Sequence, residues 1–275
     1  MLHLSVLMEN TAAEGFACEH GLSFLLDSGD TVILFDTGAS GAFLDNAARM
    51  GLDLGNVTHI VLSHGHYDHT GGLGAGLAHI AAKKAGRELP PLLAHPAVVI
   101  NRRRPLDHPK GPKDLGMPED GRDALRSWPM TVSKDPVRIR EDIVFLGEVP
   151  PARPEMRALV GEAECGGTYR ADTLPDDTAL AYITDEGLII IAGCSHAGIV
   201  NIMEHAKAVT GVSKIRAVYG GLHCKDMTDD TIARTRAALE VENLAELYAC
   251  HCTGSALDDF PVRVRLAAGE SRKVF

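Results

Sequence analysis

Short apolar runs recur along the chain, and most close on Gly, Ser, Asp or His. Residues 2–8 and 21–27 read as strands, with Glu19-His20-Gly21 a polar interruption between them. Thr31-Val32-Ile33-Leu34-Phe35 reads as a third, buried strand, because an unbroken β-branched and aromatic run suits a strand covered on both faces. It ends in Asp36-Thr37-Gly38. Ala42 to Met50 has helical spacing, with Gly51 placed to stop it. Residues 58–62 form a fourth strand, and the Ala-rich stretch from Gly72 to Gly86 forms a helix. Strands alternating with helices over the first hundred residues predict an α/β layered core.

From about 96 to 170 the periodicity fades, apart from a strand pair at 137–147. Most of the chain's 14 prolines fall there. This stretch is expected to be an irregular, lid-like insert over the active site, within a single domain spanning residues 1–275. Order returns with strands at 178–183 and 187–192, joined by an Asp-Glu-Gly turn. A helix from Ala197 to Val209, a strand at 215–219, a helix at 229–241 and a strand at 245–249 follow. A short helix and an edge strand near 262–266 are expected to finish the chain.

Between the fourth strand and the Ala-rich helix lies Ser63-His64-Gly65-His66-Tyr67-Asp68-His69-Thr70-Gly71-Gly72. A strand ending there delivers three imidazoles and a carboxylate onto one short loop. Imidazole suits zinc, iron, manganese and related ions, and a carboxylate adds charge and hardness. In extended backbone His64 and His66 point the same way and can share one metal. Asp68 and His69, past the turn, can reach a second. Later apolar strands also end close to a histidine beside Gly, Ser or Cys: His196, His223 and His251. Ligands in layered α/β proteins gather beyond the carboxyl ends of strands, so these loops are expected to converge with the first. For His223 the choice between metal ligand and catalytic acid/base stays open.

Composition narrows the function classes. The formal charge of −10 disfavours nucleic acid as a partner, and no apolar run reaches the roughly 20 residues that a bilayer demands. The amino-terminal residues lack the basic start of a secretory signal, and the six cysteines look unlike a disulfide framework. Together these predict a cytoplasmic protein with reduced thiols and no membrane partner. One basic run, Asn101-Arg102-Arg103-Arg104-Pro105-Leu106-Asp107-His108-Pro109-Lys110, stands out in this acidic chain. It reads either as a solvated surface or as a holder of an anionic substrate group, with Arg103 the candidate contact.

His64-Gly65-His66-Tyr67-Asp68-His69, preceded by Phe35-Asp36-Thr37-Gly38, resembles the signature of the metallo-β-lactamase superfamily. The likeness extends over nearly the whole chain and implies an α/β fold, a four-layer αββα sandwich with a two-metal site. Glu19-His20-Gly21-Leu22-Ser23, Gly193-Cys194-Ser195-His196-Ala197-Gly198 and His251-Cys252-Thr253-Gly254 are similar to a narrower branch. That branch is named for a dihydropterin-methyl-(ribofuranosyl)aminobenzene-phosphate synthase. The resemblance implies that His64 and His66 bind one metal and that Asp68, His69 and His251 bind another. It also implies that Asp36 orients a ligand imidazole from behind. Two departures from the pattern stand out: no third histidine precedes the 178–183 strand, and Cys194 replaces a bridging aspartate. His196 is the preferred replacement at the first metal, with Cys194 as competitor.

The activity these features imply is metal-dependent hydrolysis, or phosphoryl or pyrophosphoryl displacement, on a small anionic and pterin-like substrate. Two divalent ions, zinc first and manganese or iron as alternatives, would activate water or stabilise the leaving group. His223 and Asp68 are the candidate catalytic residues, and His20 a candidate substrate contact. A diiron oxidoreductase and a non-catalytic metal or redox sensor are the rival readings on the same scaffold.

Overall fold

The computed structural model describes residues 1–274, so Phe275, the last residue of the expected domain, lies outside the described residues. The chain divides into two compact units. Unit 1 holds Met1–Val132, Gly161–Asp172 and Leu266–Phe275; unit 2 holds Ser133–Val160 and Thr173–Arg265. The stretch expected as one insert is therefore shared between them. No helix among the described residues is long and apolar enough to cross a membrane.

Unit 1 begins with β1 (His3–Met8), β2 (Ser23–Asp27), β3 (Val32–Phe35), α1 (Ala42–Arg49) and β4 (His59–Val61). It continues with α2 (Tyr67–Thr70), α3 (Leu73–Lys84), β5 (Leu92–Ala94), β6 (Arg102–Arg103), α4 (Glu119–Leu125) and β7 (Met130–Val132). Unit 2 takes β8 (Val137–Arg140) and β9 (Ile143–Phe145), then unit 1 takes the hairpin β10 (Glu162–Cys165) and β11 (Thr168–Ala171). The rest of unit 2 is β12 (Ala179–Thr184), β13 (Gly187–Ala192), α5 (Ile199–Thr210), β14 (Ile215–Gly221), α6 (Asp229–Val241) and β15 (Glu246–Cys250). Strand β16 (Ser271–Lys273) closes the chain in unit 1.

The main sheet of unit 1 runs β16-β1-β2-β3-β4-β5-β7. Its first pairings are antiparallel, and β3, β4, β5 and β7 are parallel, with Leu34 opposite Ile60. Phe43 and Ala47 from α1, and Leu73, Leu77 and Ile80 from α3, are buried with Leu34, Ile60 and Leu92 of this sheet in one apolar cluster. In unit 2 the order is β15-β14-β13-β12-β9-β8, with β13, β14 and β15 parallel. All six residues of β13 are buried, as the unbroken run Gly-Leu-Ile-Ile-Ile-Ala requires. Ile199, Ile202, Met203 and Ala206 of α5 and Leu239 of α6 are buried with it.

Two expectations need correction. Residues 262–266 form no strand: the Leu247 amide donates to the Val262 carbonyl and the Val264 amide donates to the Leu247 carbonyl, which makes one isolated bridge from Leu247 to Arg263. Val-Arg-Val-Arg-Leu alternates like a strand, but Pro261 removes a donor at its start and the ladder does not extend. The closing strand is β16, antiparallel to β1, and the short helix is only a 3-10 turn at His251–Thr253. Pattern reading also passes over β10 and β11, whose residues are half-buried or exposed and so show no apolar face.

Arg102 is a buried member of the basic run. Its Nε donates to Asp172 Oδ2 at 2.6 Å, with both side chains almost wholly covered. Removing one partner leaves a buried charge uncompensated. We predict that Asp172→Asn lowers unfolding free energy by about 3–5 kcal/mol, whereas an apolar pair at 102 and 172 loses far less. Urea denaturation of the three proteins checks this, and equal losses would contradict it.

Candidate metal centre

In unit 1 the histidine loop is built around one carboxylate. β3 ends at Asp36, which sits in the left-handed region (φ 57°) and is completely buried. Since β3 and β4 are parallel neighbours, Asp36 lies beside the end of β4. The Ser63 amide donates to Asp36 Oδ1 at 2.8 Å, and its hydroxyl donates to Oδ2 at 2.6 Å. His69 Nδ1 lies 2.7 Å from the same Oδ2. A carboxylate only accepts, so His69 carries its proton on Nδ1 and a lone pair on Nε2. The relay runs one step further. Ser63 Oγ spends its proton on Asp36 and so accepts from His64 Nδ1 at 2.9 Å, leaving a lone pair on His64 Nε2. One buried anion thus sets the tautomers of two histidines.

His64 Nε2 and His66 Nδ1 lie 3.1 Å apart, and the His64 and His69 ring centroids 4.2 Å. Two nitrogens bound tetrahedrally to zinc at about 2.0–2.1 Å lie roughly 3.3 Å apart. The pair therefore has the spacing of two ligands on one ion; either a proton or a cation lies between them. Gly65 permits this approach, because a Cβ there would run into the Val98 carbonyl and the Arg102 guanidinium. Residue His66 opens α2, which carries Asp68 and His69 in a single helical turn. Asp68 Oδ2 lies 3.2 Å from His20 Nε2, and the Leu22 amide donates to the Asp68 carbonyl. Nearby, Glu19 accepts from the Ala39 and Ser40 amides. Glu19-His20-Gly21 is thus a clasp across the β3 and histidine loops. Arg103 is placed elsewhere in unit 1: its Nε donates to Glu162 at 3.0 Å and its guanidinium lies 3.8 Å from the Tyr169 ring centroid.

In unit 2 the parallel strands β13, β14 and β15 end side by side, so their loops share one sheet edge. β13 delivers Cys194 and His196, β14 delivers His223, and β15 delivers His251 and Cys252, all buried. His196 Nδ1 donates to the Ala158 carbonyl at 2.7 Å, which again leaves the lone pair on Nε2. The His196 and His223 ring centroids are 4.3 Å apart. A sulfur of Cys194, a ring nitrogen of His223 and the sulfur of Cys252 lie within 4.8 Å of one another. Ser195, His223 and His251 have φ of 57°, 50° and 53°, the left-handed strain that functional loops retain. Neighbouring Cys224 is different. Burial first, and Cys252 second, push its thiol up to about 12, so it stays protonated at neutral pH.

The structure brings together, within unit 1, His64, His66 and His69 with Asp36, and Asp68 with His20. Within unit 2 it brings together Cys194, His196 and His223. One participant escaped pattern reading: Ser63, the relay, whose signal is its place directly before the first ligand; Cys252, next to His251 in the sequence, is the partner of Cys194 and His223. The donor set fits divalent metal: neutral imidazoles with assigned lone pairs, a carboxylate and two buried thiols.

A mixed α/β fold with imidazole and carboxylate donors at parallel strand ends defines a metal-binding protein of the metallo-β-lactamase class. The chain belongs to the metallo-beta-lactamase superfamily, whose pattern matches residues 17–151. It is 32% identical over 250 residues to the Methanocaldococcus jannaschii 7,8-dihydropterin-6-methyl-4-(beta-D-ribofuranosyl)-aminobenzene-5'-phosphate synthase, covering 87% of this chain and 82% of that protein. An uncharacterised protein of the same organism is 29% identical over 254 residues, covering 91% and 90%. Among solved structures, Tm1679, a metal-dependent hydrolase of the beta-lactamase superfamily, superposes with a TM-score of 0.83 at 28% identity, covering 100% of this chain and 99% of that one. The α/β fold class and the superfamily read from the sequence are those found.

Two outcomes follow from the geometry. Asp36→Asn replaces an acceptor by a group that can also donate, and should weaken metal binding about 10–100-fold without unfolding the protein, as measured by chelator competition; unchanged affinity would refute the relay. Because the raised Cys224 pKa keeps the reactive thiolate scarce below about pH 12, native protein treated with iodoacetamide at pH 8 should be labelled at the exposed Cys18 and Cys165 and not at Cys224. Peptide mass mapping reads this directly.

Proposed function

We propose that this chain is a metal-dependent enzyme that hydrolyses, or displaces a phosphoryl or pyrophosphoryl group from, a small anionic, pterin-like substrate. In this reading His64, His66 and His196 hold one divalent ion, and Asp68, His69 and His251 hold the other. Zinc is the first choice and manganese or iron the alternatives. Residues 96–170 limit water at the site in this reading. The observation that carries the reading is the Asp36 relay, which fixes His64 and His69 with Nε2 lone pairs ready to bind a cation.

Such ions, when bound, would lower the pKa of water toward neutrality and stabilise charge on a phosphoryl or carbonyl oxygen. The remaining steps fall to the chain. His223, buried and beside His196, carries a proton to the leaving group. His20, more exposed than Asp68 and in contact with it, meets the substrate anion and shares its proton. Arg103 gives a further cation for a phosphate, once released from Glu162. The methanogen synthase supports a phosphorylated pterin-type substrate, and Tm1679 supports hydrolysis. Both chemistries ask the same thing of the site, stabilisation of developing negative charge.

The decisive experiment assays the protein, loaded with zinc or manganese, on bis(4-nitrophenyl) phosphate and on a dihydropterin diphosphate with an arylamine acceptor. Turnover of at least one substrate is expected, falling to background in His66→Ala and Asp68→Asn. Stoichiometric metal with no turnover of either substrate would overturn the proposal and leave a metal sensor.

A further inference from the structure

From Cys194, His223 and Cys252 we infer that unit 2 carries a metal-binding set of its own, selective for thiophilic divalent ions. This goes beyond the function proposed above, which gives Cys252 no role and uses His223 to carry a proton.

Three observations bear on it. The three ligand atoms lie within 4.8 Å of one another. Ligands of a tetrahedral ion, at about 2.0–2.3 Å from it, lie roughly 3.3–3.8 Å apart, so small side-chain rotations close the set. All three residues are buried, with relative exposures of 2%, 5% and 1%, so a bound ion would be shielded from water. The backbone is built to hold them there. The His223 amide lies 3.3 Å from Cys252 Sγ, and the Leu222 amide donates to Thr253 Oγ1 at 2.9 Å. The Gly221 amide donates to the Gly193 carbonyl at 2.8 Å, which ties the Cys194 loop to the His223 loop. A Cβ at Gly221 would lie 2.6 Å from Cys252 Sγ and 2.7 Å from the Gly193 oxygen, so only glycine lets the three loops close.

The donor chemistry then decides what binds. Two sulfurs and one imidazole favour zinc, cadmium or cobalt over magnesium or calcium, whose hard ions take oxygen. Binding displaces the thiol protons to solvent and leaves both sulfurs as thiolates. It also engages His223, so the proton-carrying role proposed for that residue belongs to enzyme with this set empty. Thiophilic ions in excess would then slow turnover.

The test titrates chelator-stripped full-length protein with Co2+. Sulfur-to-cobalt charge-transfer absorption in the near ultraviolet is expected. It should fall by about half or more in Cys252→Ser and in Cys194→Ser, and be kept in Cys224→Ser and in His66→Ala. X-ray absorption of the wild type in excess zinc gives a measurement independent of any variant's folding, and should show sulfur scatterers from both cysteines. Absence of sulfur around the metal, or a charge-transfer band indifferent to Cys252, overturns the inference. The two proposals fail separately: persistence of the band in His66→Ala says nothing for turnover, and metal-dependent turnover without a band leaves the enzyme reading standing while removing this one.

Discussion

The Asp36 carboxylate is the constraint on which the first half of the site depends. A buried anion is costly unless it is fully hydrogen-bonded, and Asp36 meets that demand with the Ser63 amide, the Ser63 hydroxyl and the His69 ring. Each donor is tied to the histidine loop, so satisfying the carboxylate and shaping the loop are one event. The left-handed backbone at Asp36 costs of order 1–3 kcal/mol, and it turns the side chain from the end of β3 toward the end of β4. What the loop gains is two imidazoles whose protons lie on the inner nitrogen.

Unit 2 reaches a comparable result by topology. Three parallel strands finish at one edge, and each supplies a residue whose backbone is left-handed at or beside the functional group: Ser195, His223 and His251. Four of the six non-glycine residues with positive φ among those described are these three and Asp36. Such strain concentrates where surrounding contacts over-determine the chain. Here the contacts are amide bonds between neighbouring strand ends, such as Gly221 to Gly193, rather than the apolar packing that holds the strands themselves.

Much of this was legible in the residue order. Buried parallel strands write themselves as unbroken apolar runs, so β3, β4, β13 and β14 fall where the pattern puts them, and α6 matches its predicted bounds. The histidine loop is equally plain, because ligand residues at that spacing have few other uses. The stretch from 96 to 170 was opaque for a physical reason. No residue of β10 or β11 is fully buried, β6 is two residues long, and α4 is short. Arg102 shows the limit most sharply. Three consecutive arginines look alike in sequence, yet the first is buried against Asp172, seventy residues away, and the next is laid over Tyr169. Charge alone says nothing of which cation is structural. Ser63 was passed over for a related reason, since a relay is defined by partners distant in the chain.

The two units differ in the softness of what they offer. Unit 1 presents nitrogen and oxygen, with tautomers fixed by a carboxylate; unit 2 presents nitrogen and sulfur, all from buried side chains. Burial first, and Cys252 after it, raise the pKa of the neighbouring Cys224 thiol to about 12. In the set inferred from Cys194, His223 and Cys252, a thiophilic ion gains sulfur donors that hard, oxygen-binding ions use poorly. On that inference, Cys194, which stands where the superfamily pattern has a bridging aspartate, changes which metals the protein selects.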